Sequence, residues 1–525
     1  IPDNGAVIFS PSVSNTAALN LNGNNVAVAS IIFSGGVGAG SGQTSTVSTG
    51  AGTLSLLGNV TYDATNNQGQ AAINGSLALA PSYNSPFYQT TPTPTAVNRI
   101  FTVGDSSNVT GSDAEVTVNA KISDGASGAD SVTKAGSGVL RFTAVDSDYS
   151  GTTTVSSGIL QVMKLAAGGA VSSIGDSSTA AANLVINGGT LSYIGSGATN
   201  GTTDRRFTIG TAGATLDASG VAGSPMVFTT TTSPTLSGTN TARTLTLTGT
   251  NTDANTLNAG LANNGTGATS LVKNGTGTWV LTGDSSAGGT PMTGTTTVNG
   301  GLLLVNNTVG SGTGSGAVTV NTTATLGGNG TIAGNLTVNA GGILSPGSAA
   351  GADAGTLNLG GNFTMAGNGS PETRLAFGYT SATGNVGATW MNTNGANWWN
   401  AYTGSLLTGN GGQSNDLVNL TASTGTPTLT WDTGGKVTLS QLGTPYSWVM
   451  GDVLNLLDWT SLYNAGGNIS GTFDANADFD LPTLGSGLAW DTSRFVSTGA
   501  IAVIPEPSRA MLLLFGLLGL TFFRR

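Results

Sequence analysis

Four oxygen-bearing side chains stand at alternate positions near the C-terminal end of the chain, at Asp474, Asn476, Asp478 and Asp480. Hard oxygen ligands at this spacing open calcium-binding loops, so they predict a calcium site, and calcium is the only cofactor that the sequence suggests. The match then fails, because Phe479 stands where such a loop needs glycine and Gly485 where it needs glutamate. The alternative is a solvated turn between strands, with Phe473 and Phe479 packed inward.

Residue types that support most enzyme chemistry are missing. The chain contains no His and no Cys, which excludes nucleophile systems built on histidine and metal sites built on thiolates. The tightest charged cluster upstream is Asp204-Arg205-Arg206, and no carboxylate cluster accompanies it, so we expect a surface salt bridge with Asp204 rather than a catalytic pair. The sequence predicts no catalytic residue and a protein that is not an enzyme.

Composition favours a thin, regular fold. Of 525 residues, 83 are glycine and only 8% are charged, while 38% are hydrophobic; disordered chains are usually more charged and less apolar. The net charge is −10, and the 15 basic residues are scattered, which argues against a nucleic-acid partner because phosphate binding needs clustered Lys and Arg.

Two segments repeat the same pattern of lysine, glycines and alternating apolar residues. The first runs from Lys134 to Val162 and the second from Lys273 to Val305. In each, a Gly-x-Gly corner precedes a short apolar strand, and a Gly-Thr-Thr-Thr-Val segment leads to a second one. Glycine supplies the backbone freedom of a tight corner, and period-two alternation places Leu140 and Phe142 on one face of a strand.

These residues resemble the autotransporter-associated β-strand repeat, also called the passenger-associated transport repeat. Short apolar strands bounded by Gly and Asn recur well beyond the two segments, and helical periodicity is not evident before the C-terminal tail. We therefore predict an all-β fold, a parallel β-solenoid (β-helix) over residues 1–370, with repeats near 131–164 and 270–307. Stacked Asn and Thr, including Asn59 and Asn335 of Asn-x-Thr triplets, are interpreted as hydrogen-bonding ladders.

From about residue 370 aromatic residues cluster. Seven of the eight tryptophans follow this point, among them the adjacent Trp398 and Trp399. We predict a C-terminal β-rich capping module over residues 371–504, because stacked coils need a terminator. If exposed, the aromatic residues of 390–402 would suit stacking on sugar rings; the alternative is core packing.

The C-terminal tail joins three signals in order. A triplet, Pro505-Glu506-Pro507, precedes a 14-residue apolar run over 510–523 and the basic pair Arg524-Arg525. A membrane-spanning helix usually needs about 20 residues, so length alone favours a buried terminal helix. The combination resembles a PEP-CTERM sorting signal over residues 505–525.

The PEP-CTERM resemblance implies export in a Gram-negative bacterium. In that family an exosortase-type processing enzyme recognises the triplet and removes the helix, which contacts the inner membrane before processing. The short hydrophobic helix over 510–523 is then a transient or retained membrane anchor. The chain starts at Ile1 rather than Met, which we interpret as removal of a secretory signal peptide; the alternative is an incomplete sequence.

The sequence predicts an exported cell-surface or extracellular-matrix protein, structural or adhesive, that presents a weakly charged face rich in hydroxyl and amide groups. Its predicted partner is either itself, in a filament, or a surface polysaccharide, with no nucleic acid. Two alternatives belong to other classes: a carbohydrate-active β-helix enzyme, which requires a carboxylate-lined cleft with a shifted Lys or Arg, and a glycan-binding surface protein.

Overall fold

The computed structural model forms two compact units, Ile1–Thr296 and Thr297–Arg525, which are described separately. It describes residues 5–11, 16–35, 44–65, 69–81, 95–107, 109–111, 113–126, 128–197, 200–347, 354–367, 372–379, 381–382, 384–385, 416–421, 428–432, 434–443, 445–458, 469–471, 473–474 and 477–506.

The first unit is built from short strands. In chain order they are β1 (Ala6–Phe9), β2 (Thr16–Asn20), β3 (Val26–Val28), β4 (Ser30–Ser34), β5 (Thr44–Leu56), β6 (Val60–Asp63), β7 (Gln70–Ala78), β8 (Asn98–Val103), β9 (Val116–Val118), β10 (Lys121–Ser123), β11 (Ser131–Ala135), β12 (Val139–Phe142), β13 (Thr153–Val155), β14 (Ile159–Val162), β15 (Leu184–Ile186), β16 (Thr190–Tyr193), β17 (Thr202–Thr203), β18 (Thr208–Ile209), β19 (Ala214–Ala218), β20 (Val227–Phe228), β21 (Thr235–Leu236), β22 (Arg243–Thr248), β23 (Asn255–Leu257), β24 (Thr269–Lys273) and β25 (Thr278–Leu281). A single 3₁₀ turn, Ala181–Asn183, is the other regular element in the described part of this unit.

These strands pair in parallel with strands of the next coil rather than with their chain neighbours. One ladder runs β1-β4-β6-β8-β11-β13-β15-β18-β21. A second contains β12, β14, β16, β19, β22 and β24 in turn, and a third contains β17, β20, β23 and β25. Parallel neighbours separated by a full turn of chain define a β-solenoid, which confirms the predicted fold class.

The interior of the coils is filled by aliphatic columns. In the second ladder, Leu140 pairs with Leu160, Leu160 with Leu191, Leu191 with Leu216 and Leu216 with Leu247. All five side chains are fully buried. Burial of one leucine contributes roughly 1.5–3 kcal/mol, so the repeated register of one apolar residue per coil is the main stabilising feature of the unit.

The predicted glycine corners are present in both repeats. Gly136 has φ +76° and Gly275 has φ +70°, a left-handed conformation that other L residues rarely adopt. A Cβ atom on Gly136 would lie 2.3 Å from the carbonyl oxygen of Val103, and one on Gly275 would lie 2.5 Å from that of Gly249. Glycine is therefore required twice over, by the turn and by the close approach of the preceding coil.

The second unit continues the series of short strands. Its elements begin with β26 (Thr296–Val298), whose first residue lies at the unit boundary, and continue with β27 (Gly301–Val305), β28 (Val318–Val320), β29 (Ala324–Gly328), β30 (Thr331–Ile332), β31 (Leu336–Val338), β32 (Ile343–Pro346), β33 (Thr356–Leu359), β34 (Phe363–Met365), β35 (Thr373–Tyr379), β36 (Gly384–Asn385), β37 (Leu417–Leu420), β38 (Leu429–Trp431), β39 (Gly435–Gln441), β40 (Asp452–Asn455), β41 (Leu457–Asp458), β42 (Ile469–Gly471), β43 (Phe479–Asp480), β44 (Leu488–Asp491), α1 (Phe495–Thr498) and β45 (Ala500–Pro505).

Parallel pairing in this unit forms three ladders and then gives way to an antiparallel sheet. The parallel ladders run β28-β31-β34-β38-β42, β27-β29-β32-β35-β39-β43 and β30-β33-β37-β41. The antiparallel sheet has the order β36-β40-β45-β44. Parallel strands are thus present on both sides of residue 370, and the domain boundary predicted there stays a prediction.

Aromatic residues after residue 370 pack against one another. The Trp448 ring centroid lies 4.9 Å from that of Tyr379 and 4.8 Å from that of Trp490. Phe473 and Phe479 are 5.5 Å apart, and both contact Phe495. These residues pack against other aromatic rings. The choice between sugar stacking and core packing for residues 390–402 stays open, because they lie outside the described residues.

The tail is described only as far as Glu506. Pro505 closes strand β45, while Pro507, the apolar run 510–523, Arg524 and Arg525 lie outside the described residues. Among the helices of the part that is described, none has the length and apolar character needed to cross a bilayer.

Candidate functional site: the outer faces of the coils

One outer face of the second unit presents a straight row of hydroxyl groups. Strands β28, β31, β34 and β38 each point one threonine outward, and the four residues pair in register: Thr319, Thr337, Thr364 and Thr430. Ser470 of β42 extends the row. We call this surface the threonine face: the row of four threonines together with the residues two positions before and after each, which are Ala317, Asn321, Asn335, Asn339, Asn362, Ala366, Thr428 and Asp432.

Asparagine ladders flank the row on both sides. On one side the Nδ2 of Asn339 donates to Oδ1 of Asn321 at 2.7 Å, and the Nδ2 of Asn321 donates to Oδ1 of Asn299 at 2.6 Å. On the other, backbone amides of Asn362 and Thr428 donate to the side-chain oxygens of Asn335 and Asn362 in the preceding coils, at 2.9 and 3.0 Å. The asparagine part of the predicted ladders is confirmed, and it holds the flanking amides in fixed positions.

The threonine hydroxyls themselves remain available. Thr319, Thr337 and Thr364 are half-buried, yet their hydroxyls make no hydrogen bond within the described part of the chain, whereas Thr430 pairs with Ser470 at 3.2 Å. A hydroxyl offers one donor and two acceptor lone pairs. The face therefore presents regularly spaced hydrogen-bonding groups that protein contacts do not consume.

A second group of polar side chains lies inside the coils, at the repeats. Lys134 and Lys273 are both fully buried. The Nζ of Lys134 donates to the carbonyl oxygens of Ala135, Gly136 and Ser157, at 2.9, 2.7 and 3.2 Å. The Nζ of Lys273 donates in the same way to Asn274 and Gly275, at 2.8 and 3.1 Å. Each lysine thus satisfies the carbonyl groups of its own glycine corner.

Burial changes the acidity of both lysines. Desolvation lowers the pKa of Lys134 to about 8, and the negative charge of the nearby Glu115 partly offsets this by raising it. Desolvation also lowers the pKa of Lys273 to about 8. Shifted lysines are a mark of catalytic sites, but these two are fully buried and bound to backbone carbonyls, so they cannot contact a substrate in this conformation.

The expected surface salt bridge at Asp204 is wrong. Arg205 is 1% exposed, and its guanidinium donates to carbonyls of the 166–175 loop, including Ala166 at 3.2 Å and Gly175 at 2.8 Å, and to the hydroxyl of Ser177 at 2.9 Å. Asp204 instead accepts a hydrogen bond from the backbone amide of Gly168 at 2.8 Å. Burial lowers the pKa of Arg205, and its role is to fix a long loop.

The four residues of the candidate calcium loop are only partly described. Asp478 is buried, and its Oδ2 accepts a hydrogen bond from the backbone amide of Asp474 at 2.8 Å. Asp474 and Asp480 are exposed, and Asn476 lies outside the described residues. Within the described ranges, acidic residues do not gather into a group of three or more that would hold a metal ion. The calcium site stays a prediction.

Sequence reasoning missed the buried cations. Lys134 and Lys273 open the two repeats, but no role was assigned to either side chain from the sequence. The available signal was the identical placement of a lysine before a Gly-x-Gly corner in two copies. In a chain with few charges, a lysine found before the same corner in both copies indicates that its ammonium group donates hydrogen bonds to the carbonyl oxygens of that corner.

The chain is a β-solenoid that carries two repeats similar to those of autotransporter passengers. The model of the passenger-associated-transport-repeat matches residues 132–162 and 271–305, which confirms the two predicted repeats. Over 178 residues the chain is 48% identical to the adhesin BmaC autotransporter of Brucella suis biovar 1 (strain 1330). That match covers 33% of this chain and 5% of the relative, so the chain spans a small fraction of the relative's length.

Proposed function

We propose that the chain is a surface-exposed, adhesive β-solenoid without enzymatic activity. The similarity to an autotransporter adhesin carries this proposal, together with the two passenger-associated repeats. The structure supports it in two ways: the coils present hydroxyl and amide groups outward, and the cations of shifted pKa point inward to backbone carbonyls. Adhesion through such a surface depends on the coils being stacked, because stacking aligns the outward side chains.

Adhesion of beads coated with the purified full chain tests this proposal. We expect coated beads to adhere to cultured cells or to polysaccharide films at least about 10-fold more than beads coated with albumin. A variant with two core leucines replaced, Leu160→Asp with Leu191→Asp, should lose adhesion because both side chains are fully buried. The outward Thr154→Val is the matched control and should retain it. Equal adhesion of coated and albumin beads would show the proposal to be wrong.

We also propose that residues 505–525 form a PEP-CTERM sorting signal in the exported protein. The sequence pattern of triplet, apolar run and basic pair supports this. Replacing Pro505, Glu506 and Pro507 with alanine should leave an unprocessed, membrane-associated form in cells that contain an exosortase-type enzyme. Processing is measured by mass spectrometry of the C-terminus. If the alanine variant is processed like the original protein, the proposed sorting signal is wrong.

Self-association into filaments is a further part of the proposal. Strands at the end of a coil stack carry unpaired backbone groups that recruit other chains. Negative-stain microscopy of the purified full chain should then show fibres whose length grows with protein concentration. Single particles at every concentration would rule filaments out without touching the adhesive role.

A further inference from the structure

The threonine face differs from the other outer faces of its unit in charge. Among its twelve residues only Asp432, at one edge, is charged. In the ladder containing β32, β35 and β39, the outward column includes Arg374 and Lys436 in register. In the ladder containing β33, β37 and β41, the outward column ends in Asp458. The central row of the threonine face is thus uncharged, whereas the outward columns of the other two faces each carry charge.

The face also lacks apolar groups that would bury against a protein. None of the large hydrophobic side chains found exposed in the described residues belongs to it. Specific protein interfaces generally need a buried apolar core with aromatic or arginine anchors, and nucleic acid needs cations. The groups that the face does offer are hydroxyls and amides with fixed positions, which match the hydroxyl groups of a neutral carbohydrate.

The geometry of the row indicates a polymer rather than a single sugar. Adjacent parallel strands lie about 4.8 Å apart, so the four threonines in register span about 14 Å in a straight line. A partner that contacts every hydroxyl of such a row must itself repeat hydrogen-bonding groups along a line. Fixed asparagines on both sides reduce the entropy lost when the partner binds.

We propose that the threonine face binds an extended, uncharged polysaccharide lying along the row of Thr319, Thr337, Thr364 and Thr430. This rests on the proposed adhesive function and names its ligand class. The ligand accepts hydrogen bonds from the threonine hydroxyls and from the outward Nδ2 groups of Asn335 and Asn362, whose oxygens are already engaged by backbone amides. The ligand is uncharged because the threonine row and the asparagines beside it provide no counter-charge, and the single charged residue of the face, Asp432, lies at its edge.

Affinity gel electrophoresis of the full chain tests the proposal, with mixed-linkage β-glucan and galactomannan as neutral probes and alginate as the anionic probe. We expect at least one neutral polysaccharide to retard the protein, with no change between 0.05 and about 0.5 M salt because charge is not involved. Alginate should have no effect. Absence of retardation by both neutral probes, or stronger retardation by alginate, would overturn the proposal.

Matched triple variants locate the site. The variant Thr319→Val/Thr337→Val/Thr364→Val removes three hydroxyls and keeps the branched shape, and each lost hydrogen bond should weaken binding about 5-fold, or about 100-fold together. The control Thr190→Val/Thr215→Val/Thr246→Val removes three hydroxyls from another in-register, half-buried column and should bind normally. The corresponding triple serine variant of the face should bind within about 3-fold of the original protein.

Two outcomes separate this inference from the adhesive function. If the valine variant of the face binds the neutral probe as well as the original protein does, the inference is wrong, while bead adhesion can still support the adhesive role. If coated beads do not adhere at all, the adhesive role fails, whatever the electrophoresis shows. Circular dichroism of each variant establishes that its strands are intact. We expect them to be, because valine is a residue that favours β-strands.

Discussion

In the first repeat, the inward hydroxyl of Thr153 bonds to the hydroxyl of Tyr149 at 2.7 Å. In the second repeat the equivalent hydroxyl, of Thr296, is buried and has no hydrogen-bond partner among the described residues. At the lysines, the nearby Glu115 opposes the desolvation that lowers the pKa of Lys134, and desolvation lowers the pKa of Lys273 as well. The two copies share the backbone geometry of the corner, but the polar side chains around that corner differ between them.

This difference separates what the repeat needs from what one copy happens to have. Both copies keep the positive-φ glycines and a lysine that donates to the corner carbonyls. The hydroxyl partner that Thr153 has in Tyr149 has no counterpart at Thr296 among the described residues. The corner geometry and its lysine donor are therefore the general device, and the remaining polar contacts are local additions.

The glycine corners should give the largest effects, and the two copies should respond alike. Gly136→Ala and Gly275→Ala each place a Cβ against a backbone carbonyl oxygen in a left-handed conformation. We expect each to lower the free energy of unfolding by about 3 kcal/mol or more, measured by urea denaturation. A large effect at one corner and none at the other would contradict the shared-corner interpretation.

Replacing the lysines should separate the copies. Lys134→Met leaves three carbonyl groups without a donor and Glu115 without its nearby cation, and should cost about 2 kcal/mol. Lys273→Met should cost about 1 kcal/mol. A double-mutant cycle sharpens the test: Glu115→Gln should couple to Lys134→Met and not to Lys273→Met. Equal coupling energies in the two cycles would contradict the prediction that Glu115 interacts with Lys134 and not with Lys273.

Stability should rise with pH in the alkaline range. The folded lysines have pKa values lowered to about 8, from 10.5. Between these values the unfolded chain binds more protons than the folded one, so the free energy of unfolding increases with pH, by up to about 3 kcal/mol for each lysine. The desolvation penalty is complete below pH 8 and disappears above 10.5. The variant Lys134→Met/Lys273→Met should show a flatter profile, and an unchanged profile would contradict the assignment.

The paired threonines should give the smallest effects, with opposite signs. Thr153→Val leaves the buried Tyr149 hydroxyl without its partner, and should cost about 1 kcal/mol. Thr296→Val removes a buried hydroxyl that lacks a partner, and should be neutral or stabilising by about 0.5 kcal/mol. The outward Thr154→Val and Thr297→Val are matched controls with changes within about 0.5 kcal/mol.

Much of the fold was predictable because it depends on local periodicity. Alternation at Leu140 and Phe142, and the glycines before them, predicted both the strand and the corner. Strands β44 and β45 likewise agree with the β-rich character predicted for residues 371–504. The antiparallel pairing of those two strands was not predicted, because pairing direction depends on contacts between residues distant in sequence.

The polar interior was not predictable from residue type. Lys134 and Arg205 are charged, and charged residues are rarely buried without a partner. Here backbone carbonyls at corners and loops act as the partner, and their positions exist only after the coils stack. The threonine face was predicted as a hydroxyl-rich surface, but its register between strands up to 66 residues apart, as between Phe363 and Leu429, required the structure.

Disulfide trapping of strand register in the first repeat tests the parallel stacking most directly. The chain has no cysteine, so introduced pairs report without background. Thr133 and Thr154 are register partners on the outer side of β11 and β13, and the variant Thr133→Cys/Thr154→Cys should form an intramolecular disulfide under mild oxidation. Thr133→Cys/Ser156→Cys, displaced by two residues, should form it much more slowly. Equal rates for the two pairs, or faster bonding of the displaced pair, would contradict the parallel coil register that brings Lys134 to the carbonyl of Ser157 in the next coil.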